Sequence, residues 1–421
     1  MVINIVQFQN YRPTAIDLFS GAGGLSLGFE QAGFDIVTAV EIDPVHAAVH
    51  KYNFPKCNTI CKDIAKLSAE DLYSRTDIDV IVGGPPCQGF SLIGKRDIDD
   101  PRNDLVFQFM RMVREIKPKY FVMENVAGLT IGNAKKFLED VIADIEISGY
   151  RIVNPYRVLN AKDYGVPQSR QRLFLIGYRY DQVEPQYPLE HNEKSTVQDA
   201  IFDLPNIDDY SELMKSDQLI YSVNPVSKYA KILHGCLVDS SDFSYSRKWD
   251  RSVLTGCLRT QHTQKSLDRF KATTEGETEP ISRFLKLNPS GICNTLRAGT
   301  DKTRGAYTSP RPIHPRDNRC ISVREAQRLH SYPDWFRMHS TKWHGFREVG
   351  NSVPPFLARA VATQIISALG VNPQKPKEEI FLGNNQLLYL NLTSAKTLME
   401  ANAQWAIMGL GARGKNCLVR Q

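Results

Sequence analysis

Thr14-Ala-Ile-Asp-Leu-Phe-Ser-Gly-Ala-Gly-Gly-Leu-Ser-Leu-Gly-Phe-Glu-Gln-Ala-Gly-Phe34 decides the fold. It opens with a short apolar run suited to a buried strand, passes through Gly21, Gly23 and Gly24, and continues with apolar residues at helical spacing. Strand, glycine turn and helix begin a βαβ unit, and the glycines let a ligand approach the backbone at a helix N-terminus. Outward from it, DIVTAVEI (35–42), DVIVGG (79–84) and YFVMENV (120–126) read as further strands. DLVFQFMRMVREIK (104–117) and AKKFLEDVIADIEISGY (134–150) read as helices, and RIVNPYRVLN and RLFLIGYRY complete the series as strands. The alternation predicts an α/β fold, a doubly wound and mostly parallel sheet.

Beyond about Val183 the pattern weakens into a segment rich in Pro, Ser, Asp and Gly, which predicts a smaller, loop-rich domain over 183–344 after a first part spanning 1–182. An amphipathic helix is expected at VREAQRLHSYP (323–333) and another at FLARAVATQIISAL (356–369). PQKPKEE reads as a linker into an extension over 373–421, with a strand at LLYLNL (387–392) and a helix at SAKTLMEANAQWAIM (394–408).

Composition bounds the function. The chain has 421 residues, 42% hydrophobic and 23% charged, which suits globular rather than disordered or fibrous structure. No apolar run is long enough to span a bilayer and the N-terminus has no signal-peptide pattern, so a cytoplasmic protein with no membrane partner is expected. Eight scattered cysteines make no disulfide framework, and Cys57 and Cys61 lack a further pair, so no metal site is expected. The formal net charge of +6 is unevenly spread, with net −8 over 181–244 and net +8 over 245–320. The basic stretch, interleaved with aromatic residues, resembles a phosphate-facing surface, and Arg247 and Lys248 within it are the expected contacts.

Three kinds of residue carry chemistry. Glu41 ends the second strand twenty positions beyond Gly21, where a carboxylate meets ribose hydroxyls, and Asp63 follows another strand end; together with the glycine turn they describe a site for an adenosine-containing cofactor. In Gly83-Gly-Pro-Pro-Cys-Gln-Gly-Phe-Ser91 two prolines display Cys87 on a stiff loop at a strand end, as a nucleophile requires. Glu124 sits at the same sheet edge, and Arg170 and Arg172, two apart in an extended stretch, point to one side to bind phosphate or a carbonyl oxygen, or to brace a carboxylate.

In this order DLFSGAGGLSLGFEQAGF, EID, GGPPCQGFS, ENV, QSRQRLFLIG, VREAQRLHSYPDWF and GNSVPP resemble the motif series of DNA (cytosine-5) methyltransferases of prokaryotic type, over about Ala15 to Leu369. The resemblance implies an S-adenosyl-L-methionine (AdoMet)-dependent methyltransferase fold, completed by the helix in 345–372, with a target-recognition region in the small domain. It implies AdoMet contacts from Phe19, Gly21, Gly23, Gly24, Glu41, Asp63, Pro86, Asn351 and Ser352. It makes Cys87 the nucleophile, places Glu124 and Arg172 on the cytosine, has Arg170 steady the pocket, and puts Gln88 and Ser91 in a loop that closes over DNA. The implied partner is double-stranded DNA, with a monomeric enzyme and a cognate restriction endonuclease as a genetic partner. A tRNA cytosine-5 methyltransferase resembles this family but carries Cys-Phe-Thr, which none of the eight cysteines here begins. A catalytically silent DNA-binding regulator is opposed by the presence of Cys87, Glu124 and Arg172 together.

Overall fold

The computed structural model describes residues 11–73, 77–86, 104–191, 193–300 and 310–407. Eight strands form the main sheet: β1 Thr14–Leu18, β2 Asp35–Glu41, β3 Asn58–Cys61, β4 Val80–Gly83, β5 Tyr120–Val126, β6 Tyr150–Ile152, β7 Arg157–Asn160 and β8 Gln171–Arg179. Their order is β3-β2-β1-β4-β5-β8-β6, with β7 also paired to β8. The first five run parallel, while β8 is antiparallel to β5, β6 and β7. The helices of this part are α1 Gly24–Ala32, α2 Pro44–Asn53, the short α3 Ala69–Leu72, α4 Asp104–Ile116 and α5 Asn133–Ile147.

Both faces of the sheet are covered, so its central strands β1, β4 and β5 are buried along almost their whole length. Val80 and Val82 point into one core with residues of α1 and α2, whereas Ile81 points into the other with Phe109 and Met112 of α4 and Leu138 and Val141 of α5. Helix α1 is buried on every side. It lies between the sheet and α11 (Pro355–Ala368), whose Leu357, Val361 and Ile365 enter the same core.

The 183–344 segment contains α6 Val197–Ile201, β9 Gln218–Ile220, α7 Lys228–His234, β10 Ser246–Lys248, β11 Val253–Thr255, α8 Gln264–Ala272 and α9 Val323–Arg328. Its separate apolar clusters are small: Ile207, Leu213, Leu219, Leu254 and Cys257 in one, Phe270, Ile313 and Cys320 in the other. The amphipathic helix expected at 323–333 is instead the six-residue α9, buried all round, whose Arg324 and Arg328 turn inward. Arg328 forks onto Asp334 and Asp203, and Arg319 onto Glu325 and Asp317. Next comes α10 Lys342–Asn351, so the expected 344/345 boundary falls inside a helix.

The extension is ordered through the described part of α12 (Leu392–Ile407), but LLYLNL is no strand. Residues 385–389 form a 3₁₀ turn, and the strand is β12 Glu379–Phe381, laid parallel on β10. Gly383 N–H donates to Tyr52 O at the end of α2. Nearby, His339 Nε2 lies 3.0 Å from Leu390 O, and the Tyr389 hydroxyl donates to Asp217.

Strand β10 corrects one expectation. Arg247 is only 7% exposed and gives both terminal nitrogens to Glu30 at 2.8 Å, with its guanidinium over the Trp335 ring. Glu30 lies at the end of α1, and neighbouring Tyr245 bonds Asp35 at the start of β2. Both groups therefore sit at the amino-terminal edge of the sheet. Arg247 is an internal ion pair and not a phosphate contact, and Lys248, over the Phe381 ring, shares that remote edge. Replacing Arg247 by Ala is expected to cost about 3–5 kcal/mol, because Glu30 is left charged and buried. Lys248→Ala should change stability by no more than about 0.5 kcal/mol. Urea unfolding of the two variants checks this, and equal losses would contradict the internal assignment.

Candidate active site

The site forms where β1, β2, β3, β4 and β5 end, at their carboxyl edge, as open α/β sheets dictate. The turn after β1 places Phe19 (φ 63), Gly21 (φ 55) and Gly23 (φ 104) in the left-handed region. Gly23 does not line the cavity. It is the left-handed residue that starts α1, and a Cβ there would stand 2.4 Å from the Phe54 ring, so its need is structural. At Gly24 the demand is close approach, since a Cβ would meet Val353 O at 2.4 Å and Ser352 Cβ at 2.9 Å.

Glu41 braces this turn. One carboxylate oxygen accepts from Gly21 N–H and the other from Asp43 N–H, both at 2.8 Å. Asp43 in turn caps α2 by accepting from Val45 N–H and His46 N–H. Asp63 caps the 3₁₀ turn after β3 through Ala65 N–H. A cavity of about 440 Å³ is lined by Phe19, Gly21, Gly24, Glu41, Asp63, Pro86, Asn351 and Ser352, with Glu124 and Arg172 on its wall. Eight of the nine expected cofactor residues thus meet in one place, Gly23 being the exception.

Glu124 pairs across the ladder with Phe174, which puts Arg172 diagonally beside it, and Arg172 Nε lies 2.9 Å from Glu124 Oε1. Burial pushes the Glu124 carboxyl up, while Arg172 and Arg170 draw it back down. The two arginines diverge in role. Arg170, with no exposed surface, donates to Leu296 O at 2.9 Å and Gly350 O at 2.7 Å, tying the start of β8 to the end of α10. Gly84 leaves room for Glu124, whose Oε2 would lie 2.7 Å from a Cβ there. Asn125 Nδ2 donates to Pro85 O, so the strand bearing Glu124 holds the loop that leads to Cys87. Cys87, Gln88 and Ser91 lie outside the described residues.

Two further features escaped the sequence reading. Asn125 is visible there only as the middle letter of ENV. The other is a buried relay beneath the turn: Ser26 Oγ donates to Asp17 at 2.6 Å and lies 3.0 Å from His50 Nε2, whose Nδ1 is 3.2 Å from Thr59. Its members are 9 to 24 positions apart, and no local pattern joins them.

The family model for C-5 cytosine-specific DNA methylase matches residues 14–367. The chain belongs to this family. It is 55% identical over 397 residues to Type II methyltransferase M.XorII of Xanthomonas oryzae pv. oryzae, covering 93% of each. It is 35% identical to Type II methyltransferase M.DdeI of Desulfomicrobium norvegicum, covering 83% of this chain and 88% of the other. A crystal structure titled as a prophage-encoded DNA modification methyltransferase of E. coli matches with TM-score 0.70 and 33% identity, over 85% of this chain and 99% of that one. The protein is therefore a DNA cytosine-5 methyltransferase with AdoMet as methyl donor, and the tRNA and silent-regulator readings have less support. The cavity fits AdoMet: its size is that of a small-molecule site, a helix N-terminus opens onto it, and the Ser20 hydroxyl on its wall is buried without a partner among the described residues. Also among the described residues, no group of three His, Cys, Asp or Glu could hold a metal, and no helix is long and apolar enough to cross a membrane.

The relay makes a pH prediction. Burial pushes Asp17 up to about 7, against the hydrogen bond from Ser26. A raised folded-state pKa means that the stability this group contributes is complete below about pH 4 and is lost as pH rises through about 7. Asp17→Asn, which keeps an acceptor for Ser26 without a charge, should remove that loss. Melting curves from pH 5 to pH 8 should show the variant gaining on the parent as pH rises, and parallel curves would refute the assignment.

Proposed function

We propose that the chain methylates C5 of a flipped-out cytosine in a specific short duplex DNA sequence through a covalent adduct of Cys87 at C6. The observation that carries the reading is the Glu124–Arg172 pair on the wall of the AdoMet-sized cavity, at the end of the strand beside the one that leads into Cys87. Cytosine C5 is a weak nucleophile until the ring gains electron density. The Cys87 thiolate adds to C6, Glu124 hydrogen-bonds N3 and the exocyclic amine, and the ring becomes enamine-like. AdoMet supplies an electrophilic methyl group, which C5 takes. Loss of the C5 proton to a base then expels the Cys87 thiolate and restores the aromatic ring.

Desolvation suits Glu124 to this task, since a carboxyl pushed upward by burial is poised to share a proton with N3. Arg172 holds Glu124 from the side and offers nitrogens to the carbonyl at position 2. Arg170 acts through the backbone by fixing the α10 end that carries Asn351 and Ser352. Phe19, Gly21, Gly24, Glu41, Asp63, Pro86, Asn351 and Ser352 hold AdoMet, Glu41 through its ribose hydroxyls. Both faces of the base must be reached, so it leaves the duplex, at a cost of a few kcal/mol, and Gln88 and Ser91 close over the DNA. The Type II relatives support a cytoplasmic enzyme with a cognate restriction endonuclease as genetic partner.

Duplex DNA carrying 5-fluorocytosine tests the covalent step, because fluorine cannot leave as a proton does. Incubation with AdoMet should trap a denaturation-resistant adduct whose tryptic map places the link at Cys87. Cys87→Ser should form none and lose turnover by several orders of magnitude while still binding AdoMet. An adduct at another residue, or methylation by the Ser variant, would sink the mechanism. Bisulfite sequencing of the methylated DNA supplies the recognition sequence.

A further inference from the structure

The cavity extends one helical turn beyond the residues assigned to AdoMet above. Glu348 precedes Asn351 and Ser352 by three and four positions on α10, so all three share a face. His46 stands three positions after Asp43, the cap of α2. Both residues line the cavity, and both are almost wholly buried, His46 at 6% and Glu348 at 1% exposure.

Each leaves one polar atom open to the cavity wall. Glu348 Oε2 accepts from His339 N–H at 2.8 Å, and His46 Nδ1 faces Asp43 at 4.0 Å. Glu348 Oε1 and His46 Nε2 have no hydrogen-bond partner among the described residues. A buried polar atom left unpaired costs about 1–3 kcal/mol, and two of them on one cavity wall mark a place for a ligand's polar groups. Burial, reinforced by Asp43, holds the Glu348 carboxyl above its usual range, against the hydrogen bond from His339 N–H.

The place selects one end of the cofactor. Glu41 and Asp63, at the ends of β2 and β3, serve the nucleoside. The start of α1 is pressed onto the end of α10, where Gly24 has only the space of a hydrogen before Val353 O. The α10 face that bears Glu348 continues from Asn351 and Ser352 along the cavity wall, so the part of AdoMet beyond the ribose is assigned to that face. We infer that His46 and Glu348 form a polar subsite for the amino-acid end of AdoMet, with Glu348 Oε1 and His46 Nε2 hydrogen-bonding its charged groups. This rests on the assignment of the cavity as the AdoMet site.

Calorimetry with three probes separates the two claims: AdoMet, S-adenosylhomocysteine, and 5′-methylthioadenosine, which has the nucleoside and sulfur but no amino-acid group. His46→Ala and Glu348→Ala should weaken the first two by about tenfold or more, the value of one lost hydrogen bond to a charged group, and leave the third unchanged. Glu348→Gln, which keeps both a donor and an acceptor at that position, should bind all three nearly as the parent does. Equal weakening of all three probes, or no weakening of any, would overturn the subsite. Glu41→Ala should weaken all three, and if it weakens none the cavity assignment itself fails. Should Glu348→Ala not fold, as judged by its melting curve without ligand, His46→Ala decides by the same comparison.

Discussion

Arg170 puts a whole guanidinium where no water reaches and spends its hydrogen bonds on backbone. Its two terminal nitrogens hold Leu296 O and Gly350 O, which lie in segments more than fifty positions apart in the chain. The crossing is tight enough that a Cβ on Gly350 would stand 2.3 Å from Ala298 N. A buried cation facing only neutral carbonyls is poorly compensated, and burial together with the Arg172 charge pulls the Arg170 pKa down. The nearby Glu124 carboxylate is what opposes this. Glu124 therefore has two duties: it faces the cavity, and it supplies the negative charge that makes Arg170 tolerable. The end of α10, with Asn351 and Ser352, is placed by that bond.

This coupling explains which parts of the site were legible in the sequence. The glycine turn, Glu41, Asp63 and Glu124 could be placed because each stands at the end of an apolar strand, and parallel sheets gather such ends on one edge. Arg170 and Arg172 were legible as a pair but not as different tools, since periodicity gives a direction and not a partner. Buried partners at long range were invisible altogether. The Asp17–Ser26–His50–Thr59 relay, the Arg247–Glu30 pair and the Glu348–His339 contact each join residues whose local context is ordinary.

Two of the misreadings share one physical cause. VREAQRLHSYP was read as amphipathic because charged residues normally face water, yet Arg324, Glu325 and Arg328 are buried and compensated from outside the helix. Asp334 meets Arg328 and Arg319 meets Glu325, where Arg319, with His314, outweighs burial to hold the Glu325 carboxyl down at about 2. The same inversion removes part of the charge argument for 245–320, where Arg247, Lys286, Arg311 and Arg319 are each less than a tenth exposed. Net charge along a sequence reports a surface only when the charges lie on it. Here part of the positive charge is internal, and the 183–344 segment, whose separate apolar clusters are few, joins the main core through residues such as Val197, Ile201, Leu233 and Ile321 as well as through ion pairs.

The extension adds to that seam. The chain after α11 ties the 183–344 segment further to the sheet: β12 closes on β10, Gly383 bonds the end of α2, and Tyr389 reaches Asp217. The family model ends at residue 367, so these ties lie outside it. The alignment to M.XorII covers too much of this chain to omit all of the extension, so part of it is shared with that relative. Because α2 carries Asp43 and His46 at one end and is held by the extension at the other, the wall of the AdoMet cavity and the seating of the small domain depend on the same helix. A change that loosens the extension must therefore act on the cofactor site through α2, without touching any residue that lines it.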